Sequence, residues 1–200
     1  MFPMTRLIAA PAFAFALALS LPTATIASPL IESSVAADSV WESKQTIPAL
    51  YVTAAEAAEV LATRDDILLI DVRTPEETML VGYPDAADVN IPFLLLDPDH
   101  KLNEKGSYVM APNPRFADAV LTYLDGRAPA AILVMCRSGG RSAKAVDALV
   151  ATGLDVPLYS VLDGFEGDKD AEGRRSVNGW KNNGAPWGTK IAAGFLQGVD

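Results

Sequence analysis

Ala131-Ile-Leu-Val-Met-Cys136-Arg-Ser-Gly-Gly-Arg141-Ser-Ala-Lys144 joins five apolar residues to a helical pattern through a loop of small and basic residues. An unbroken apolar run of this length fits a strand buried on both faces of a parallel sheet. From about Gly140 to Thr152 the apolar positions Ala143, Val146, Leu149 and Val150 recur at helical spacing, and Gly153 supplies the stop. The stretch therefore predicts strand, tight loop, helix. In an open parallel sheet, ligands bind in the crevice outside the carboxyl ends of the strands. Cys136 is the first residue past such an end.

The flanking sequence repeats the alternation. Thr53-Ala-Ala-Glu56 is a capping box before an Ala-rich helix reaching about Ala62, because the Thr hydroxyl and the Glu carboxylate satisfy each other's free amides. Ile67 to Ile70 is a second buried strand. Thr74-Pro75-Glu76-Glu77 repeats the cap, with Pro where a missing N–H costs nothing. Val89-Asn90-Ile91 reads as a short strand, and Asn113-Pro114 opens a helix with Phe116, Val120, Tyr123 and Leu124 on one side, closed by Gly126. Leu158 to Leu162 is a further strand. Strands alternating with helices imply one α/β domain with a mostly parallel sheet covered on both faces, spanning residues 47–190. Residues 28–46 read as an N-terminal arm or linker, with Trp41 as its tack to the surface, and 191–200 as a tail.

Of the 200 residues, half are hydrophobic and a fifth charged, which is globular composition. Sixteen basic against twenty-five acidic residues leave a net charge of −9. That balance argues against nucleic acid as a partner and disfavours an anionic membrane surface, since both are held by clustered Lys and Arg. Cys136 is the only cysteine, which excludes an intramolecular disulfide framework, a Cys-rich zinc site and a two-cysteine redox motif.

At the N-terminus, Arg6 precedes an uncharged apolar run from Leu7 to Leu21, and Thr25 and Ala27 stand at −3 and −1 of a cleavage site. The run is shorter than the roughly twenty residues of a bilayer span. Residues 1–27 thus read as a signal peptide and the mature chain as starting near Ser28, periplasmic or secreted, with no stable membrane association after cleavage. An uncleaved anchor is the alternative. Arg6 is the only charge in 1–27, so the mature net charge becomes −10.

The loop after Met135 carries the chemistry. Ser138, Gly139 and Gly140 leave the backbone free to curl and aim successive amides at one point, and amides beside a helix N-terminus stabilise negative charge. Arg137 and Arg141 add positive charge, and the combined field should favour the thiolate, the nucleophilic form of Cys136. The plain alternative is a small buried hydrophobe, the usual fate of a free cysteine. Arg137 has a solvated alternative; Arg141 closes the loop in the first helical turn.

Cys136-Arg-Ser-Gly-Gly-Arg141-Ser resembles the active-site loop of the rhodanese sulfurtransferases. Leu69-Ile-Asp71-Val-Arg73-Thr-Pro-Glu-Glu77 resembles their first signature and Gly82 through Asp88-Val-Asn90-Ile-Pro92 their second. Val161-Leu-Asp-Gly164 and Gly179-Trp180 through Gly184-Ala-Pro186 resemble their closing pattern. The likeness covers about residues 47–188. It departs from the family at Tyr83, where a His commonly follows the glycine, and in apparent insertions at 97–113 and 166–178, read either as rims of the site or as surface loops.

The resemblance implies a single rhodanese-like domain built on a five-stranded sheet. It also implies sulfane sulfur transfer from an anionic small-molecule donor such as thiosulfate, through a Cys136 persulfide, to a thiol or cyanide acceptor. Arg137, Ser138, Gly139, Gly140 and Arg141 would bind substrate, with Asp71, Arg73 and Ser142 in support. No cofactor is implied. Asp168-Lys-Asp170-Ala-Glu172-Gly173 has the look of a calcium loop, but Gly179 stands where its Glu belongs, so no metal is expected. His100, the only histidine, reads as surface. Two rivals remain: a cysteine phosphatase or arsenate reductase, whose Cys-x5-Arg ring is one residue longer than this Cys-x4-Arg, and a non-catalytic persulfide carrier or binding module for an exported protein partner.

Overall fold

The computed structural model describes residues 30–199; the leader read at 1–27 lies outside them. Along the chain run β1 (Tyr51–Val52), α1 (Ala54–Leu61), β2 (Ile67–Asp71), α2 (Pro75–Val81), β3 (Tyr83–Pro84), β4 (Val89–Asn90) and β5 (Leu94–Leu96). They are followed by β6 (Met110–Pro112), α3 (Phe116–Leu124), β7 (Ala131–Met135), α4 (Gly140–Val150), β8 (Leu158–Val161) and β9 (Trp187–Gly188). Strands β1, β8, β7, β2 and β4 form a five-stranded sheet in that spatial order, every pair parallel.

Strand periodicity explains the two layers. Ile132, Val134 and Cys136 face the side covered by α3 and α4, through Phe116, Val120, Ala145, Val146 and Leu149. Ala131, Leu133 and Met135 face the other side with Ala57 of α1, Phe165 and Trp180. Both faces are buried, which is why β7 reads as an unbroken apolar run. Both expected capping boxes form, Thr53 with Glu56 and Thr74 with Glu77.

Helix α3 differs from its expected start. It begins at Phe116 behind Arg115, not at Asn113. Asn113 still serves that start, its Oδ1 accepting from the Arg115 amide at 3.0 Å, while its amide group donates to the Pro92 carbonyl at 2.8 Å and the Gly198 carbonyl at 3.0 Å. The two donated bonds hold the C-terminal tail against the sheet. Asn90 at the β4 edge donates from its backbone to Phe195 O and accepts from the Gln197 amide, so residues 195–197 cover an edge that would otherwise lie open. Tyr83 stacks on the buried Phe195 ring, with centroids 4.4 Å apart, and its hydroxyl donates to Lys190 O.

Residues 30–46 lie against the domain. Ile31 joins the core on the α1 side, and its amide donates to the Tyr159 hydroxyl. Trp41 does not anchor this segment; it is 80% exposed. The 97–113 connection is the far part of an antiparallel pair, β5 with β6. In 166–178, Asp168 accepts from Lys44 and Asn178 while Asp170 accepts from Ser176 and the Arg174 amide, so both acidic side chains engage donors of the chain itself.

Candidate active site

The connections leaving β2 and β7 diverge to opposite faces, opening a crevice at the carboxyl ends of these neighbouring strands. Asp71 ends β2 and Cys136 follows β7, one on each side of it.

Two glycines let the loop approach β8 and the chain beyond it. Gly139 has φ +93°, and a Cβ there would lie 2.1 Å from the Leu162 carbonyl oxygen. Gly164, at φ +62°, would place a Cβ 2.4 Å from the Cys136 oxygen. Residues 165–167 then hold the loop's carbonyls: the Phe165 amide donates to Cys136 O at 2.8 Å, and the Glu166 and Gly167 amides donate to Arg137 O. With those carbonyls drawn back, the amides from Arg137 to Ser142 are left without an acceptor among the described residues. Six successive N–H groups at a helix N-terminus favour negative charge.

Cys136 is only 1% exposed, yet it lines a cavity of about 530 Å³. Phe93, Leu94 and Pro112 give that cavity an apolar wall, while Arg137, Ser138, Gly140 and Arg141 form the loop side, with Lys144 and Ser43 completing the lining. Behind the sulfur runs a chain of hydroxyls. Cys136 Sγ lies 3.6 Å from Ser142 Oγ, which accepts from Ser160 Oγ at 3.3 Å and donates to Gly139 O at 2.8 Å.

The two arginines of the loop have different fates. Arg141 forks onto Glu77, with two bonds of 2.6 Å, across from the N-terminal turn of α2. Burial alone would lower the Arg141 guanidinium and raise the Glu77 carboxyl; their mutual hydrogen bonds override burial, holding Arg141 above and Glu77 below the ordinary value. Among the described residues Arg137 makes no such pair, and its buried Nε has no hydrogen-bond partner. Arg175 stands near it: burial first, then the like charge of Arg137, pushes the Arg175 guanidinium down.

Asp71 and Arg73 form a second ion pair, both side chains 0% exposed, with Nη2 to Oδ2 at 2.5 Å. The Arg73 guanidinium lies 4.1 Å from the Phe165 ring centroid and donates to Gly82 O. Asn90 donates to the carbonyls of Asp71 and Arg73. This cluster does not line the cavity. It braces Phe165, whose amide holds Cys136.

The structure thus gathers Cys136, Arg137, Ser138, Gly140 and Arg141 on one cavity and sets Gly139 and Ser142 immediately behind it. Glu77 as the partner of Arg141, Arg175 beside Arg137, and the walls Phe93, Leu94 and Pro112 were missed from sequence. Only the acidic pair Glu76-Glu77 in the first turn after Thr74 offered a signal, and capping already accounted for it. Lys144 is exposed and also lines the cavity. His100 is exposed.

A parallel five-stranded α/β sheet with its single thiol in a glycine-rich loop at the strand reversal defines a rhodanese-like domain. Comparison with known proteins agrees. No family model matches the chain. An uncharacterized protein of Rickettsia rickettsii is 31% identical over 136 residues, covering 68% of this chain and 94% of that protein. A chloroplastic protein of Arabidopsis thaliana, thiosulfate sulfurtransferase 16, is 34% identical over 117 residues, 58% of this chain and 76% of its own length. The crystal structure of Rv0390 from M. tuberculosis superposes with a TM-score of 0.53 at 34% identity, covering 69% of this chain and 96% of that one. The chain belongs to the rhodanese-like family.

Proposed function

We propose that this protein is a sulfurtransferase that carries sulfane sulfur on Cys136. The observation that carries the reading is the placement of that thiol on a cavity wall, beside six amides and an Arg137 that have no partners among the described residues. The Cys136 thiolate attacks the outer sulfur of thiosulfate; the S–S bond breaks and sulfite departs with its electron pair. Arg137 meets the oxyanion of donor and leaving group by charge-assisted hydrogen bonds. The terminal sulfur of the persulfide then faces the loop amides. A thiolate or cyanide acceptor attacks that sulfur, and the electron pair of the broken bond returns to Cys136. With no second cysteine in the chain, no internal disulfide can discharge the persulfide.

Mass spectrometry after exposure to thiosulfate should show the gain of one sulfur atom on Cys136, followed by its catalytic release to cyanide. Cys136→Ser should lower transfer by at least about a thousandfold with the fold intact, as loss of a covalent nucleophile does. Retained transfer would falsify the assignment. A loaded protein that never turns over would identify a persulfide carrier instead. We place the reaction in the periplasm or outside the cell on the strength of the apolar leader; N-terminal sequencing of exported protein should begin near Ser28, and Met1 would count against cleavage.

A further inference from the structure

Ser160 sits in the middle of β8, 0% exposed, two residues on from Leu158 and so on the sheet face covered by α4. That face is otherwise hydrocarbon around it, from Ile132, Val134 and Val146. A hydroxyl buried there requires a partner. Among the described residues its side chain has one, Ser142 Oγ at 3.3 Å, and Ser142 Oγ in turn lies 3.6 Å from Cys136 Sγ.

Ser142 stands at the junction. A serine hydroxyl has one hydrogen and two lone pairs. Three acceptors lie within reach of that hydrogen: Gly139 O at 2.8 Å, Val161 O at 3.4 Å and Cys136 Sγ at 3.6 Å. With Cys136 as the thiol, S–H donates to Ser142 Oγ and the Ser142 hydrogen goes to Gly139 O. The oxygen then takes hydrogens from Cys136 and Ser160 together, and two donors on one oxygen weaken each other. With Cys136 as the thiolate, the Ser142 hydrogen turns to Sγ. The bonds now run head to tail, from Ser160 to Ser142 to sulfur, and members of such a chain strengthen one another. Gly139 O is not stranded by the turn, because it keeps the Ala143 amide at 3.0 Å.

Resting on the sulfur-carrier reading of Cys136, we propose that Ser160 is a positioning residue of the transfer reaction. It polarises the Ser142 hydroxyl and through it stabilises the Cys136 thiolate that is released when sulfur is delivered. In delivery the acceptor takes the outer sulfur, the S–S bond breaks, and its electron pair returns to Sγ, where the turned Ser142 hydrogen meets it. In the persulfide the charge lies on the outer sulfur against the loop amides, and Ser142 turns back to Gly139 O. The serine pair serves the inner sulfur, the amides the outer one.

The charged groups around Cys136 are Arg137, Arg141 and Lys144 on the cavity, Glu77 paired with Arg141, and Asp71 and Arg175 acting through space. A neutral substitution at Ser160 keeps all of them, so a changed titration reports the hydroxyl. Alkylation by iodoacetamide against pH reads the thiolate without any sulfur transfer. Its midpoint should move up by about half a unit in Ser160→Ala and about one unit in Ser142→Ala, the loss of a polarising bond and of a direct bond to charge. The double variant should match Ser142→Ala, because Ser160 has no other route to the sulfur. Ser160→Thr should titrate as the wild type does, and Ser160→Val, the same shape without the hydroxyl, as Ser160→Ala. At a pH where every variant is fully thiolate, loading of Ser160→Ala from thiosulfate should not slow, whereas discharge to cyanide should slow about twofold. An unmoved midpoint, additive shifts, or Thr and Val variants that titrate alike would overturn the proposal. Shifted midpoints in a protein that transfers no sulfur would uphold the serine pair and remove the sulfur-carrier reading.

Discussion

Arg137 and Arg141 flank the same loop and look equivalent in sequence, yet the fold gives them opposite work. Arg141 is spent on Glu77, a paired charge that pins α4 to α2 and shapes the cavity wall. Arg137 keeps a buried Nε without a partner among the described residues and lines the same cavity. From sequence, Arg141 is the firmer substrate ligand because it closes the loop. The hydrogen bonding favours Arg137: a cation already matched by a bidentate carboxylate offers a donor anion less field than one with no carboxylate partner among the described residues.

The comparison breaks most visibly at Arg141. Arg141→Ala leaves Glu77 half-stranded in a buried site, and should cost about 3 kcal/mol, a fall in Tm of roughly 10 °C by calorimetry. Glu77→Leu with Arg141→Met should recover most of it, because a well-packed apolar pair replaces a buried ionic one at little net cost. If Arg141→Ala instead raised the thiosulfate KM with Tm unmoved, the assigned division of labour would be wrong.

Arg137→Ala is the converse. It should raise the thiosulfate KM about tenfold, the worth of one charge-assisted hydrogen bond, with Tm almost unchanged. Steady-state kinetics and a melting curve on the same preparation separate the two arginines.

Acid sharpens the contrast further. Glu77 titrates below its ordinary 4.5 in the folded protein, so its pairing stabilises the fold above that pH and is lost as the pH falls through the folded value. Arg137 has no carboxylate partner among the described residues to lose. Denaturation midpoints for wild type and Arg141→Ala should therefore converge on acidification, while wild type and Arg137→Ala run parallel.

The smallest effect is expected at the N-terminal segment. Although partial burial opposes it, hydrogen bonds from the Thr53 and Ser34 amides hold the Glu56 carboxyl at about 2. Its contribution is present above its ordinary 4.5 and fades between there and about 2. Glu56→Gln should cost under about 1 kcal/mol, given its exposure, and speed hydrogen exchange at Ser34 and Thr53. Unchanged exchange would mean that Ile31, Val40 and Lys44 hold the segment without Glu56.

Much of the fold was legible because its signals are local. The capping boxes at Thr53 and Thr74 depend on residues three apart, and β7 and β2 declare themselves by apolar runs that only a strand covered on both faces requires. Asn113 was legible only in part. Its Oδ1 accepts from the Arg115 amide at the start of α3, but its NH2 group also donates to Pro92 and Gly198, and the latter lies 85 residues away.

The sequence alone determined the alternation of β2, β4, β7 and β8 with the four helices, the glycine-rich loop, and the one thiol at its start, since each follows from spacing within a dozen residues; β1, β3, β5, β6 and β9 were not legible in it. Tertiary structure decided which charge stays free, what walls the cavity, and where Trp41 lies. Those depend on Glu77 meeting Arg141 and on β5, β6 and the N-terminal segment converging over α4. Pairing across such separations is set by the packing of the whole sheet, which no local pattern encodes.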